Sequence, residues 1–226
     1  MKIRLNLKIF VFIVLFILTR QIEIYGILML FAIFHELGHI MVGILLGFKP
    51  NTLEIMPFGL SVGFEGKVEN YNKKIKKGTV LVLKKIIIAL AGPLINLIFI
   101  IVFSAFNISF FNIENQLVIY SNILIGIFNL IPIYPLDGGR IIKGILHIFL
   151  GKKVALEYIN KISYISVIVL TVITSIAILY LKNIAILLIL TYLWYLVIIE
   201  HRRYNMKKQI YNKLEKIKES KLSIVS

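Results

Sequence analysis

The sequence predicts an all-α polytopic membrane protein with about six transmembrane helices and a short re-entrant or β-hairpin loop after the second. Three observations carry this. Of the 226 residues 59% are hydrophobic and only 16% charged; the mean hydropathy is +0.90; and the apolar residues lie in long uninterrupted stretches. Soluble globular chains run about 45–50% apolar and about 25% charged, so a soluble globular class is excluded. The net charge of +15 would suggest nucleic acid in a soluble protein. The basic residues here form no nucleic-acid motif, and a polytopic chain explains them by cytoplasmic loop bias and affinity for anionic lipid. No nucleic-acid partner is expected. The absence of cysteine removes disulfides, thiolate chemistry, cysteine-ligated zinc and cysteine lipid anchors.

A spanning helix needs about 20 mainly apolar residues. Six stretches qualify: Leu7–Thr19, Ile24–Phe48, Ile86–Phe106, Leu117–Pro135, Ile162–Leu181 and Ile184–Ile199. The first is short and follows Met1-Lys2-Ile3-Arg4, but no small-residue cleavage site comes after Thr19, so it reads as an uncleaved anchor. The last two are separated only by Lys182-Asn183 and read as a tight helical hairpin. Lys and Arg accumulate on cytoplasmic loops, and here they alternate. Lys49–Lys85 and Gly138–Lys161 are rich in them, Asn107–Gln116 has none, and the tail from His201 adds Arg202, Arg203, Lys207 and Lys208 among others. Both termini are therefore expected in the cytoplasm. The chain divides into a membrane-embedded domain, 1–200, and a basic cytoplasmic tail, 201–226. In the tail Met206, Ile210, Tyr211, Leu214 and Ile217 recur at helical spacing, consistent with an amphipathic helix on the membrane or with a solvated anchoring tail.

The stretch Leu53–Glu65 is apolar, with β-branched and aromatic residues interrupted by Pro57-Phe58-Gly59, which predicts two short extended segments around a turn. Such backbone is tolerated at membrane depth only under protein cover or beside a wet cavity, so it is a candidate edge for pairing with a substrate.

Ionisable residues inside spans are costly and point to function. The second span contains His35-Glu36-Leu37-Gly38-His39. Positions i and i+4 share a helix face, so His35 and His39 can hold one ion, with Glu36 beside it as general base toward water. This is the zinc arrangement of His-Glu-x-x-His helices. Catalytic zinc takes three protein ligands. His147 and His201 fall in the loop after span four and at the start of the tail and read as exposed surface residues. Asp137, the sole aspartate, lies at the cytoplasmic end of span four, the same side as the end of span two, and is the candidate third ligand. The alternatives for it are a helix-terminating Asp-Gly turn or a partner for Arg140.

His35-Glu36-Leu37-Gly38-His39, with Asn129-Leu130-Ile131-Pro132-Ile133-Tyr134-Pro135-Leu136-Asp137-Gly138-Gly139-Arg140, resembles the site-2 protease family of intramembrane zinc metalloproteases. Ala91-Gly92-Pro93-Leu94-Ile95-Asn96 is similar to that family's third signature. Met56-Pro57-Phe58-Gly59 and the six-span layout resemble its sporulation branch, which processes the membrane-associated pro-sequence of a sigma factor. Members of that branch commonly carry a C-terminal nucleotide-sensing CBS domain; here 26 residues follow position 200. The resemblance implies one catalytic Zn²⁺, ligands His35, His39 and Asp137, and Glu36 as catalytic residue. It also implies a role for Asn129 in substrate binding or oxyanion stabilisation, with a helix–helix hydrogen bond as that residue's alternative. Asn96 reads as a bond between spans, and Pro132 and Pro135 as the unwinding that turns Asp137 inward. The implied partners are a membrane-tethered protein substrate, the lipid bilayer and a membrane-bound regulatory protein.

Two other classes use the same residues. A divalent-metal transporter would need further polar ligands along a path, yet spans five and six offer only Ser, Thr and Tyr. A catalytically silent membrane-substrate binder would be expected to have lost Glu36, which is present.

Overall fold

The computed structural model describes residues 2–5, 7–18, 20–56, 59–65, 75–106, 113–181 and 184–225. The Pro57-Phe58 turn, the stretch 66–74 with Lys67, Lys73 and Lys74, most of the loop 107–116 and the Lys182-Asn183 link lie outside the described residues.

Strand β1 (Lys2–Leu5) leads into helix α1 (Lys8–Leu18) and then α2 (Ile22–Leu45), which carries the His-Glu-x-x-His run. Strands β2 (Lys49–Met56) and β3 (Gly59–Glu65) follow, then α3 (Ile75–Phe106), α4 (Asn115–Leu130), α5 (Asp137–Leu150), α6 (Lys152–Leu181) and α7 (Ile184–Val225). In the small sheet β2 pairs antiparallel with β3, Leu53 opposite Val62, with an irregularity between Pro50 and Thr52. The N-terminal segment, expected only as a charged flank, forms β1 and pairs parallel to β2, with Ile3 opposite Leu53.

Among the described residues three helical stretches are long and apolar enough to cross a bilayer: Ile22–Leu45, Gly78–Phe106 and Lys152–Ile178. Helix α4 is apolar but shorter. The distribution of polarity is that of a chain solvated by lipid. Leu37, Leu45, Ile101, Phe106 and Val172 are exposed, while His35, His39, Asn96, Asn122, Asp137 and Ser163 are buried. In hydrocarbon the cost falls on polar groups facing outward, so the helices turn them toward one another.

Among the described residues three apolar clusters hold the helices together. Phe31, Phe103, Val118 and Ile125 join α2, α3 and α4; Ile133, Val167, Leu193 and Val197 join the 131–136 turn to α6 and α7; and Phe16 stacks on Tyr25 with ring centroids 4.6 Å apart, tying α1 to α2. Close approach of α2 to α3 depends on Gly38, where a Cβ would collide with the Ile95 side chain and press on the Ala91 carbonyl oxygen. Lys84 of α3 donates from Nζ to the Leu46 carbonyl at 2.9 Å, satisfying an acceptor at the C-terminal end of α2 that has no partner within the helix.

The segment expected as the loop Gly138–Lys161 is helical, forming α5 and the first turns of α6. Its glycines and lysines resemble a linker, but Ile141, Ile142, Ile145, Leu146 and Phe149 recur at helical spacing. Gly144 lies so close to Ile86 that a Cβ there would collide with that side chain, seating α5 on α3. The tail likewise continues the last helix without a break, since α7 runs from Ile184 to Val225.

Candidate active site

The middle of α2, the middle of α3 and the first turn of α5 converge on one buried point. Helix α4 ends at Leu130, and the Pro132-to-Leu136 segment turns back so that Asp137 opens α5. Gly138 and Gly139 permit this corner: a Cβ on the first would strike the Leu130 carbonyl, and on the second the Ile133–Tyr134 backbone. Asp137 in the first turn also places its carboxylate at the positive end of the α5 dipole.

At that point His35 Nε2 and His39 Nε2 each lie 3.0 Å from Asp137 Oδ2 and 3.2 Å from one another. All three residues are buried. Each has an outer partner that fixes how it points. His39 Nδ1 donates to the Ile88 carbonyl at 2.6 Å, an acceptor only, so that nitrogen carries the hydrogen. His35 Nδ1 donates to Asn96 Oδ1 at 3.2 Å, and the amide orientation is set because Asn96 Nδ2 donates to the Asn122 carbonyl. Arg140 Nη1 donates to Asp137 Oδ1 at 3.4 Å, leaving Oδ2 to face the histidines.

With both Nδ1 atoms donating outward, the two Nε2 atoms face a carboxylate oxygen, the arrangement that a metal ion bridges when both rings are neutral. Tetrahedral zinc with bonds of about 2.0–2.1 Å needs donors about 3.3 Å apart, and the observed spacings are 3.0–3.2 Å. The three residues form a group able to hold one metal ion. Gly92 of α3 leaves the adjoining space open, because a Cβ there would run into His35 Nε2 and His39 Nε2. The donor set, its outer hydrogen bonds and the vacated volume all fit zinc. Outer partners of this kind are what hold zinc-binding histidines in orientation.

Glu36, next to His35, is half-buried, and the charged groups acting on it are His39, Arg140, Asp137 and His35. Asn129 does not join the cluster through any described contact. Its Nδ2 donates to the Ile125 carbonyl of its own helix at 3.1 Å, and it lines an apolar pocket with Phe16, Tyr25, Met29 and Phe128. His201 and His147, expected on the surface, are each partly buried. His201 pairs with Asn160 and meets the edge of the Tyr164 ring at 5.1 Å.

Three contributors were not readable as parts of the site. Asn96 bonds between helices as expected, but its other end orients His35. An amide in the middle of an apolar span was the available signal. Gly92 lies in the Ala91–Asn96 stretch singled out above, though its contact with the histidines was not foreseen, and the Ile88 carbonyl has no signature beyond the backbone.

Fold and site together define a helical architecture with apolar helices long enough to cross a bilayer and a buried His-His-Asp group able to hold one metal ion. Residues 107–173 match the family model of Peptidase family M50. The solved site-2 protease from Methanocaldococcus jannaschii has the same fold, with a TM-score of 0.63 at 22% identity over 88% of this chain and 89% of that one. Among curated proteins, Zinc metalloprotease MJ0392 of Methanocaldococcus jannaschii is 33% identical over 123 residues, 51% of this chain and 32% of the relative. Stage IV sporulation protein FB of Bacillus subtilis is 27% identical over 146 residues, 63% of this chain and 46% of the relative. The chain thus spans less than half the length of either curated relative.

Proposed function

We propose that the protein is an intramembrane zinc metalloprotease that hydrolyses a peptide bond in or near the membrane segment of a membrane-associated substrate. The observation that carries this is the convergence of His35 Nε2, His39 Nε2 and Asp137 Oδ2, three potential ligand atoms within 3.2 Å of one another, with Glu36 beside them. In this reading those three residues hold the ion. Zinc, when bound, supplies the Lewis acidity that polarises the scissile carbonyl and acidifies water. Glu36 accepts the proton of the attacking water as the C–O bond forms, and delivers it to the amine nitrogen as the C–N bond breaks. Asn129 contacts the substrate rather than the metal, across the cavity it lines.

In the same proposal six helices cross the membrane, both termini are cytoplasmic and the site opens toward the cytoplasmic side. The 1–200 region is the catalytic domain and 201–226 its basic tail. A peptide bond inside a helix is shielded, so the substrate must be extended at the metal, and the β2–β3 segment offers an edge for pairing. The sequence resemblance to the sporulation branch, with the likeness to Stage IV sporulation protein FB, supports a sigma-factor pro-sequence as substrate; a membrane-bound regulator as partner is part of the same proposal. The transporter and silent-binder readings gain no described feature, because among the described residues His35, His39 and Asp137 are the one group able to hold a metal and Glu36 is in place.

The deciding experiment co-expresses the chain with a membrane-tethered pro-protein and compares wild type with Glu36→Gln, with metal analysis of both. Cleavage by wild type alone, with about one zinc in each protein, is the expected result. Equal cleavage by Glu36→Gln, or absence of zinc from both, would falsify the mechanism.

A further inference from the structure

Helices α1, α2, α4 and α7 enclose a pocket that the hydrolytic reading reaches only through Asn129. Its wall is almost wholly apolar, with Phe16, Met29, Ala32 and Phe128 on it and Tyr25 and Asn129 as the polar residues. The space amounts to about 70 Å³, several times the roughly 10–15 Å³ that one water needs. A hollow lined in this way offers water too few hydrogen-bonding partners to hold it. It has room for a short branched aliphatic group and not for the length of a lipid acyl chain. Left empty, such a hollow costs stability, so a group that fills it binds favourably.

The place of the pocket on α2 says what that group is. Tyr25, Met29 and Ala32 line it, and with Glu36 they follow one another by four, three and four residues, the spacing of a single helix face. The pocket therefore lies on the face of α2 that carries Glu36. At 1.5 Å per residue, Ala32 and Met29 precede Glu36 by about 6 and about 10 Å along the axis. An extended chain advances about 3.3 Å per residue, so a side chain two or three residues from a peptide bond held at Glu36 reaches this wall. Strands β2 and β3 follow the C-terminal end of α2, whereas the pocket lies toward its N-terminal end. A substrate paired with the sheet thus brings the residues on the membrane-embedded side of its scissile bond to the pocket.

We infer that this is a specificity pocket, which selects substrates bearing Val, Ile or Leu two or three residues from the scissile bond on its membrane-embedded side. This role rests on the hydrolytic function proposed for the chain. Met29 and Ala32 set the size of the space without touching the reacting atoms. A methyl group fills the pocket poorly and an aromatic ring exceeds it, so selection falls on aliphatic side chains of intermediate size.

One arm of the test co-expresses the whole chain with a single-span reporter randomised at the cytoplasmic end of its membrane segment, and sequences the cleaved members. Wild type is expected to prefer Leu over Ala by about tenfold or more at one position two or three residues from the cut. Met29→Ala enlarges the pocket and shifts the preference to Phe; Ala32→Leu fills it and shifts the preference to Ala or Gly. Met29→Ala decides this arm if Ala32→Leu fails to hold zinc. The other arm is independent of proteolysis and compares two zinc-chelating probes, acetohydroxamate and isocaprohydroxamate, by the rise in melting temperature of the detergent-solubilised chain. The branched tail is expected to tighten binding to wild type about tenfold, and Ala32→Leu to remove that advantage while acetohydroxamate still binds. If acetohydroxamate does not bind wild type, the metal site itself is refuted and the pocket's role falls with it. If it binds but the branched tail adds nothing, or if both variants keep the wild-type preference, the specificity pocket is overturned and the protease reading stands.

Discussion

Gly92 shows how one missing methyl group can define a metal site. Alanine is favoured over glycine inside a helix by about 1 kcal/mol, so Gly92→Ala would stabilise α3 if helix propensity alone decided. A Cβ at this position instead meets both inward histidine nitrogens. The variant is expected to keep its helical circular dichroism and lose bound zinc; zinc retained at the wild-type level would refute this account of the glycine. Asn96 acts on the same histidine from the outside. Asn96→Ala leaves His35 free to rotate and should lower zinc affinity by about 10–100-fold, as read by competition with a chromogenic chelator. At this scale the proximity of His35 and His39 was legible because an i, i+4 pair on a helix has only one geometry. The roles of Asn96 and Gly92 depend on which face of α3 meets α2, and a uniformly apolar helix does not reveal that face in its sequence.

Among the elements, the corner between α4 and α5 matters most, because it carries Asp137 to histidines about one hundred residues earlier in the chain. Two prolines and two glycines announce a break here, and the break is present. The helix beyond it was harder to read, since Asp137-Gly138-Gly139 has the composition of a turn while in the fold it forms the first turn of α5. The corner is fastened to α6 by Ser163, which is buried, accepts the Tyr134 N–H and donates to the Ile159 carbonyl at 2.8 Å. Ser163→Ala strands that N–H at a cost of about 1–3 kcal/mol, whereas Ser163→Thr keeps the hydroxyl. The melting temperature and zinc affinity should both fall in the alanine variant and recover in the threonine variant. Equal behaviour of the two would mean that the hydroxyl does not hold the corner.

At the scale of the whole molecule, hydropathy located the long helices because lipid demands apolar surface over a set length. It could not foresee β1 pairing with β2, a contact between segments about fifty residues apart in the chain. Nor could it foresee that the last span and the tail form one helix. At 1.5 Å per residue, the 42 residues of α7 extend about 63 Å, roughly twice the hydrocarbon thickness of a bilayer, so in the proposed six-span topology about half of this helix projects beyond the membrane. The basic residues Arg202, Arg203, Lys207 and Lys208 lie on the projecting half, and positive charge is retained on the cytoplasmic side. The direction of projection is therefore a test of the six-span topology. The chain lacks cysteine, so single cysteines can be placed at the exposed positions Glu114, Lys153 and Lys208 without background. A membrane-impermeant maleimide should label Glu114→Cys in intact cells and reach Lys153→Cys and Lys208→Cys only after permeabilisation. Labelling of position 208 from outside while position 153 stays protected would mean that α6 and α7 do not form a hairpin returning to the same face, and that the number of spans is odd.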